Sequence, residues 1–561
     1  MVDRNYSVLF LELNSSYSHS MLSYCLLRAL SEEQAPEWQW FHVDATLKTP
    51  ADDIIDSVAA FSPKVIFATA YIFNIEYLCI LTKRIKSQLG NCYIFLGGPS
   101  FIGDNQNFLL ANPYLNGVIR GDESSIPELL NAIKKHDSVK KVSGLCQIEQ
   151  GRYNDNGKAE FHGDLDELPS PYVAPFLHQG KPFYQLETSR GCLGSCTFCT
   201  SSVQKSVKTF SLQRIKDDLA ALAEKGFSEI RLIDRTFNED PKRAVAMLEL
   251  FKEDFPQMKF HLEVHPGRLQ PEVAELLASM PAEQLHIEAG IQSFDPIVLI
   301  NIKRATSPGV PEKRLSQLVK MGNFEVHADL ISGLPEQTLK SLENDILKML
   351  QISPDEIQLE PLKILPGTPI RDQLDKWGIE FMEKPPWQVI KTKAMSEQDI
   401  ERSCLYSHVL DSYYNTAALR NTFSFCVKQN PKFFIEFSYY FAEFKSSKGK
   451  LSLEKRFEIL ENFLSGNSSY NSLQICRFAK LAAGFKVSEI ELTKTSGRRG
   501  KTVWKNDSSS PVVRCSELKC DFNVADFWLN RKYQVVKTGK FTYYFMMHYG
   551  RNVCEIILNT N

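Results

Sequence analysis

A chain of 561 residues is well past the size at which one hydrophobic core stops growing, so about three or four domains are expected. Its 65 basic and 67 acidic residues leave a net charge of −2, which argues against a nucleic acid held by the charge of the whole molecule. No apolar run approaches a membrane span, no signal-peptide core follows the polar start Met1–Asn5, and all but three of the 13 cysteines are scattered as reduced thiols would be, so the protein reads as cytoplasmic and membrane-free.

From the N-terminus, short β-rich runs alternate with amphipathic stretches. Tyr6–Leu13, Trp38–Val43, Val65–Tyr71, Tyr93–Leu96 and Gly117–Ile119 read as strands, and the helical segments between them predict a doubly wound parallel sheet over residues 1–140. Such sheets bind ligands beyond the carboxyl ends of their strands. The loops there are Asn14–His19, Thr69–Tyr71 and Gly97–Ser100, and the pair Gly97-Gly98 lets a backbone come close to a bulky ligand. Thr69 after the third strand, the later Gly97-Gly98 pair and the stretch Val118–Glu123 together resemble the flavodoxin-like cobalamin-binding domain. The resemblance implies cobalamin whose nucleotide tail lies between strands, against Thr69, Gly97 and Gly98. The family's Asp-x-His-x2-Gly motif, whose histidine ligates cobalt, would fall on Tyr17–Leu22, where only His19 fits. His19 therefore reads either as an axial ligand or as an ordinary loop histidine; most radical-enzyme versions of the domain lack that ligand. The bland alternative for the whole segment is a Rossmann-like scaffold without cofactor.

Residues 141–180 read as a linker, with Gly, Asn and Asp first and then Leu165–Pro171, where proline fixes φ and interrupts helices. From Phe183 the alternation resumes, with strands at Tyr184–Ser189, Glu229–Asp234, Lys259–Val264, Leu285–Ala289, Glu325–Ile331 and Ile357–Ile364. Helical patterns lie between them, for example Ser211–Lys225 and Pro241–Phe255. Six repeats predict a partial (β/α)6 barrel over 181–375, with its chemistry at the strands' carboxyl ends. The loop after the first of these strands holds Arg190-Gly191-Cys192-Leu193-Gly194-Ser195-Cys196-Thr197-Phe198-Cys199. Four-iron clusters are normally held by four cysteines, so three close thiolates leave one iron open to a non-protein ligand. A half zinc site is the other reading, but tetrahedral zinc wants a second ligand pair that the sequence does not supply.

The Cys-x3-Cys-x2-Cys spacing, the glycines and Phe198 resemble the cluster loop of radical S-adenosylmethionine (SAM) enzymes. This implies a 4Fe-4S cluster on Cys192, Cys196 and Cys199, with the amino and carboxylate groups of SAM on the open iron. One electron, from an external donor such as flavodoxin or ferredoxin, then cleaves SAM to the 5'-deoxyadenosyl radical. Asp234-Arg235, Glu263 with His265, Glu288–Ser293, Asp329–Pro335 and Leu365–Pro369 follow successive strands, an arrangement similar to the radical domain of cobalamin-dependent members and anaerobic coproporphyrinogen dehydrogenases. Glu263 can accept bonds from both ribose hydroxyls, and Gln292 can donate and accept near the methionyl carboxylate or the substrate. Asp234 and Arg235 either hold the methionyl groups or pair with each other. Gly333–Pro335 and Gly367-Thr368 read as turns rather than ligand contacts, and Tyr71 and Tyr184 either face the gap between domains or, as aromatics on strands more often do, sit in the core.

Residues 376–561 form an α+β extension, helical and then a hairpin. Phe433–Phe441 reads as an aromatic helical core rather than a base-stacking platform, Thr495–Lys501 as a basic loop, and Gln534–Val536 with Phe541–Met547 as strands about a turn at Lys537–Lys540. This region resembles an extension found on one group of cobalamin-type radical proteins. The whole is read as a radical SAM enzyme with cobalamin that methylates an unactivated carbon of a small molecule, or of a short segment of a larger one. In that scheme SAM methylates cob(I)alamin in one step and yields the radical in another. The alternatives are radical rearrangement, cyclisation or oxidation without methyl transfer; a tRNA or protein methylthiotransferase; and a non-catalytic cobalamin sensor or carrier. The methylthiotransferase would need a second cluster on three N-terminal cysteines, yet Cys25, Cys79 and Cys92 lie inside predicted elements. A sensor leaves the three-cysteine loop unexplained.

Overall fold

The computed structural model describes residues 6–19, 22–177, 180–203, 206–304, 306–444, 451–467, 470–483, 485, 512–522, 538–548 and 554–559. The chain divides into two compact units, one of residues 1–326, 331–338 and 361–400, the other of residues 327–330, 339–360 and 401–561.

In the first unit, β1 (Ser7–Asn14), β2 (Gln39–Thr46), β3 (Val65–Thr69), β4 (Tyr93–Gly97), β5 (Gly117–Ile119), β6 (Leu145–Glu149) and β7 (Arg152–Asp155) form a sheet in the order β2-β1-β3-β4-β5-β6-β7. β1 to β5 run parallel. Every position of β1 and β3 is buried, the polar Ser7, Glu12 and Asn14 of β1 included, as in strands covered on both faces. The order reverses between β1 and β3, which puts the topological switch point, and hence the ligand crevice, at the ends of those two strands.

Residues 145–155, expected in the linker, instead extend this sheet as a hairpin. β6 pairs antiparallel with β5, and β7 with β6. The turn residues Gln150 and Gly151 both have positive φ, 48° and 76°, as a tight hairpin turn needs. Leu145 and Cys146 are fully buried. The chain then returns to the end of β5: the Ala159 amide donates to the Arg120 carbonyl at 2.8 Å, and the Asp122 amide donates to the Ala159 carbonyl at 3.1 Å. Gly121, at φ 109°, has no room for a side chain, since a Cβ there would stand 2.0 Å from the Ala159 oxygen.

The second sheet has six strands, β8 (Tyr184–Leu186), β11 (Glu229–Leu232), β12 (Lys259–Val264), β13 (Leu285–Gln292), β14 (Glu325–Ser332) and β15 (Glu356–Pro361), while β9 (Ser189–Arg190) and β10 (Lys208–Thr209) pair separately. β8, β11, β12 and β13 are parallel neighbours in that order, the frame of the partial barrel. β13 alternates strictly between buried and half-buried positions, so one face joins the core and the other carries His286, Glu288, Gly290 and Gln292. Between strands, helix Leu212–Glu224 is capped by the Ser211 side chain, and helix Pro241–Glu253 by Asp240, with proline at its first position. β16 (Glu380–Phe381) and β17 (Val389–Lys391) make a small antiparallel ladder.

In the second unit the aromatic run is core. Phe433, Phe434, Phe437 and Phe441 are buried, and the Phe433 and Phe437 rings stack at 5.5 Å. Phe463 meets both edge-on. Further on, β18 (Val512–Phe522), β19 (Thr538–His548) and β20 (Cys554–Asn559) form an antiparallel sheet with β19 central. Thr538–Lys540, expected as a turn, instead open β19 opposite Phe522, where the register shifts as at a bulge; a glycine inside a strand signals a bulge as readily as a turn. Gln534–Val536, Lys537 and the basic loop Thr495–Lys501 lie outside the described residues.

Candidate active site

The cluster loop is positioned from both ends. At its entry Asp234, 4 % exposed, accepts the Thr188 and Ser189 amides at 2.8 and 3.0 Å and also the Thr188 hydroxyl. Burial raises the pKa of its carboxyl, and these bonds oppose the rise. Asp234 thus ends β8 and aims the chain into the loop. Farther on, the Thr197 amide donates to the Ile302 carbonyl at 3.0 Å, and the Thr197 carbonyl accepts the Ile370 amide at 2.8 Å.

Cys192 and Cys199 are half-buried and Cys196 is buried, all three as free thiols. The Gly194 amide lies 3.2 Å from the Cys192 sulfur, and Arg304 donates through Nη1 to the Cys196 sulfur at 3.4 Å while its Nη2 donates to the Gly290 carbonyl at 2.7 Å. The thiols do not converge on a single-ion site. On a four-iron cluster each thiolate meets a different iron, and hydrogen bonds to the sulfurs help set its potential, so these residues fit a 4Fe-4S cluster.

Beside Arg304 lies a patch of unsatisfied polar atoms. Gln292 closes β13 at φ 70°, rare for a residue with a side chain. Its Oε1, His265 Nδ1 and Thr306 Oγ1 are buried without a hydrogen-bond partner among the described residues. Burial pushes the His265 pKa down to about 3, with Arg304 and Arg268 adding to the fall, so the imidazole is neutral. Native proteins seldom leave such atoms unpaired, so the patch suits a polar ligand next to the cluster. Glu263 is half-buried at the end of β12, opposite Glu288 in register.

A cavity of about 480 Å³ opens at the switch point. The helix Leu22–Gln34 contributes Ser23, the first sheet and its loops contribute Thr69, Tyr71, Gly97 and Gly98, and the barrel side contributes Glu187, Arg190, Gly191 and Arg235. The Thr69 and Ser23 hydroxyls are 2.9 Å apart. Gly98, at φ 100°, is demanded by its own chain, because a Cβ would stand 2.6 Å from Thr69 Cγ2 and 2.9 Å from the Ala70 oxygen. Gly97 is freer, with its nearest neighbour at 3.7 Å from such a Cβ. On the far wall Arg190 bonds both Glu123 and Glu187 at 2.8 Å. Burial pushes Glu187 up to about 7 against the pull of Arg190, and Glu123 and Asp234 add to the rise.

The cavity therefore gathers Thr69, Gly97, Gly98 and Arg235, while His19, Asp234, Glu263, Gln292 and the three cysteines stand outside its lining. Asp234 turns inward to the loop and Arg235 outward to the cavity. His19 Nδ1 lies 2.8 Å from Ser16 Oγ and 3.2 Å from Ser18 Oγ, and its ring meets Phe183 edge-on at 5.4 Å. Burial lowers its pKa, with Arg231 and Lys181 adding. Tyr184 is core, its hydroxyl 3.4 Å from the Cys25 sulfur. Sequence reasoning missed Arg190, Glu187, Thr306 and Arg304. Only Arg190 carried a local signal, as the residue that opens the cysteine run.

Residues 186–349 match the Radical SAM superfamily, and residues 375–482 match DUF4080, a family of proteins of unknown function. The chain is 25% identical over 327 residues to the Uncharacterized methyltransferase PH0819 of Pyrococcus horikoshii, covering 56% of this chain and 70% of that one. It is 25% identical over 408 residues to the Cobalamin-dependent radical SAM methyltransferase TokK of Streptomyces tokunonensis, covering 68% of this chain but only 59% of TokK. In fold it resembles the solved structure of the cobalamin-dependent SAM radical enzyme OxsB with aqua-cobalamin bound, at a TM-score of 0.58 and 17% identity over 85% of this chain and 79% of OxsB. No helix among the described residues is long and apolar enough to cross a membrane. Residues 186–349 are accordingly a radical SAM domain, for a 4Fe-4S cluster and SAM, carried by an enzyme chain homologous to the cobalamin-dependent radical SAM methyltransferases.

Proposed function

We propose that the chain is a cobalamin-dependent methyltransferase acting on an unactivated carbon of a small molecule, or of a short segment of a larger one. The observation that carries this is the single cavity walled by Thr69, Gly97 and Gly98 at the switch point and by Ser189, Arg190 and Gly191, which lead into Cys192. When bound, the cluster and SAM supply a 5'-deoxyadenosyl radical and cobalamin supplies a methyl carrier. The chain's own groups do the positioning. Cys192, Cys196 and Cys199 hold the cluster, and Asp234 fixes the entry of their loop. Glu263 takes the adenosyl ribose. Gln292, with its unpaired buried oxygen, meets the methionyl end beside Arg304. Thr69 and the open backbone at Gly97 receive the cobalamin tail, with Arg235 at the facing wall. His19, held by Ser16 and Ser18 outside the lining, serves as a loop residue and not as a cobalt ligand. An external flavodoxin or ferredoxin supplies the electron, in the cytoplasm. The domains divide as a cobalamin module, a connector, the radical barrel and the C-terminal extension.

The test is to grow the host anaerobically, with and without the gene, on methyl-labelled methionine. A metabolite or modified macromolecule should gain label only when the gene is present. A gene-dependent product without label overturns methyl transfer in favour of rearrangement or oxidation, and purified protein that takes up no cobalamin overturns the cavity assignment.

A further inference from the structure

We propose that Gly103 and Gly367 form a backbone-to-backbone coupling that holds the cavity wall in register with the cluster loop. A Cβ built on Gly103 would stand 2.7 Å from the Gly367 nitrogen and 3.1 Å from its Cα. One built on Gly367 would stand 2.8 Å from the Gly103 nitrogen and 2.9 Å from Ile102 Cγ2. Each glycine occupies the space that the other's side chain would need. Gly367 also has φ 74°, which a side chain would resist, whereas Gly103 has no such conformational demand and is glycine for the approach alone.

The contact joins two rigid segments. On the cavity side, Ile102 lines the cavity directly. The segment behind it is fixed by the Phe101 amide on the Gly98 carbonyl at 3.1 Å, and by Asn105 Nδ2 on the Phe101 and Gly103 carbonyls, both at 3.0 Å. On the cluster side, the Thr368 hydroxyl donates to the Leu365 carbonyl at 2.7 Å, closing the Leu365–Thr368 turn. Two residues on, the Ile370 amide donates to the Thr197 carbonyl at 2.8 Å, between Cys196 and Cys199. From Gly98 to Cys196 the links are backbone bonds and the close approach of Ile102 and Gly103 to Gly367, braced by the Asn105 and Thr368 side chains, so a displacement has little room to relax. Loading the cluster therefore stiffens the cavity wall. The inference rests on the three cysteines taking the cluster and makes no use of cobalamin, so it fails independently of the methyl-transfer reading.

The test is hydrogen exchange, followed by mass spectrometry, on cluster-free and anaerobically reconstituted full-length protein. In the wild type, cluster loading should slow exchange several-fold at residues 192–200, 366–370 and 98–105. Gly103→Ala should keep the first two effects, with unchanged iron content, and lose the third. A wild type with no cluster-dependent slowing at 98–105, or a Gly103→Ala protein that retains it in full, overturns the proposal. Should Gly103→Ala lose protection in β3 and β4 and so prove misfolded, Ile102→Ala decides instead. It removes a group that packs on Gly367 and adds no atom, and undiminished slowing at 98–105 in that variant is equally an overturning result.

Discussion

Arg304, 108 residues from Cys196 in the chain, joins the Cys196 sulfur to the end of β13. A cationic donor on a ligand sulfur favours the more negative, reduced cluster. Arg304→Ala should therefore lower the cluster's midpoint potential by tens of millivolts with iron content retained, and Arg304→Lys should recover part of the loss; potentiometry followed by electron paramagnetic resonance reads both. Glu187 gives a prediction in pH. Its folded pKa of about 7 lies above the 4.5 of a free glutamate, so the stability it lends is full below 4.5 and is lost as pH rises to 7. Glu187→Gln should gain on the wild type across that window by on the order of 1–3 kcal/mol, seen as a melting-temperature difference that grows from pH 5 to pH 7.5. At this scale the sequence was legible where chemistry is local. Three thiols within eight residues, with the glycines and Phe198 among them, resemble a cluster loop in one short stretch of sequence. The patch of Gln292, His265, Thr306 and Arg304 was illegible because three separate chain segments build it. Asp234 illustrates the converse: a carboxylate at a barrel mouth reads as a ligand for SAM, but two amides of its own chain reach it first.

The parallel strands were legible as elements because burial on both faces leaves an unbroken apolar run, as in Val65–Thr69, which lies wholly buried. The β6–β7 hairpin was not, because its turn is Gln150-Gly151 rather than Asn-Gly and because the polar residues after it dominate the local composition. The hairpin carries weight out of proportion to its length. Behind it the chain crosses back so closely that Gly121 and the Ala159 carbonyl leave no space for a methyl group. Gly121→Ala should destabilise the first unit by more than about 1 kcal/mol, since it adds both a positive-φ strain and a clash with backbone. Denaturant titration would show it, and exchange protection in β5 and β6 should fall first. Unaltered stability would mean that the Arg120–Ala159 crossing opens at little cost.

Across the whole molecule, the cavity wall and the cluster loop are held by protein groups before any cofactor arrives. Replacing Cys192, Cys196 and Cys199 together with alanine should abolish iron binding and reductive SAM cleavage while leaving the circular dichroism spectrum unchanged. Cobalamin should still bind, since none of the three cysteines lines the cavity. SAM cleavage surviving in that variant would remove the cysteines from the chemistry. Six of the ten other thiols have a practical use. Burial pushes Cys25 and Cys79 up to about 11 and Cys426 up to about 12, and raises Cys92, Cys146 and Cys476 as well. Alkylating reagents attack thiolates, so these six stay silent in the native protein near neutral pH. Against that quiet background the half-buried Cys192 and Cys199 become reporters. In cluster-free protein they should be carboxymethylated ahead of the six, and every cluster inserted should shield them, so peptide mass spectrometry of a brief iodoacetate pulse would read the fraction of molecules that carry a cluster in cell extract, without purification or iron analysis.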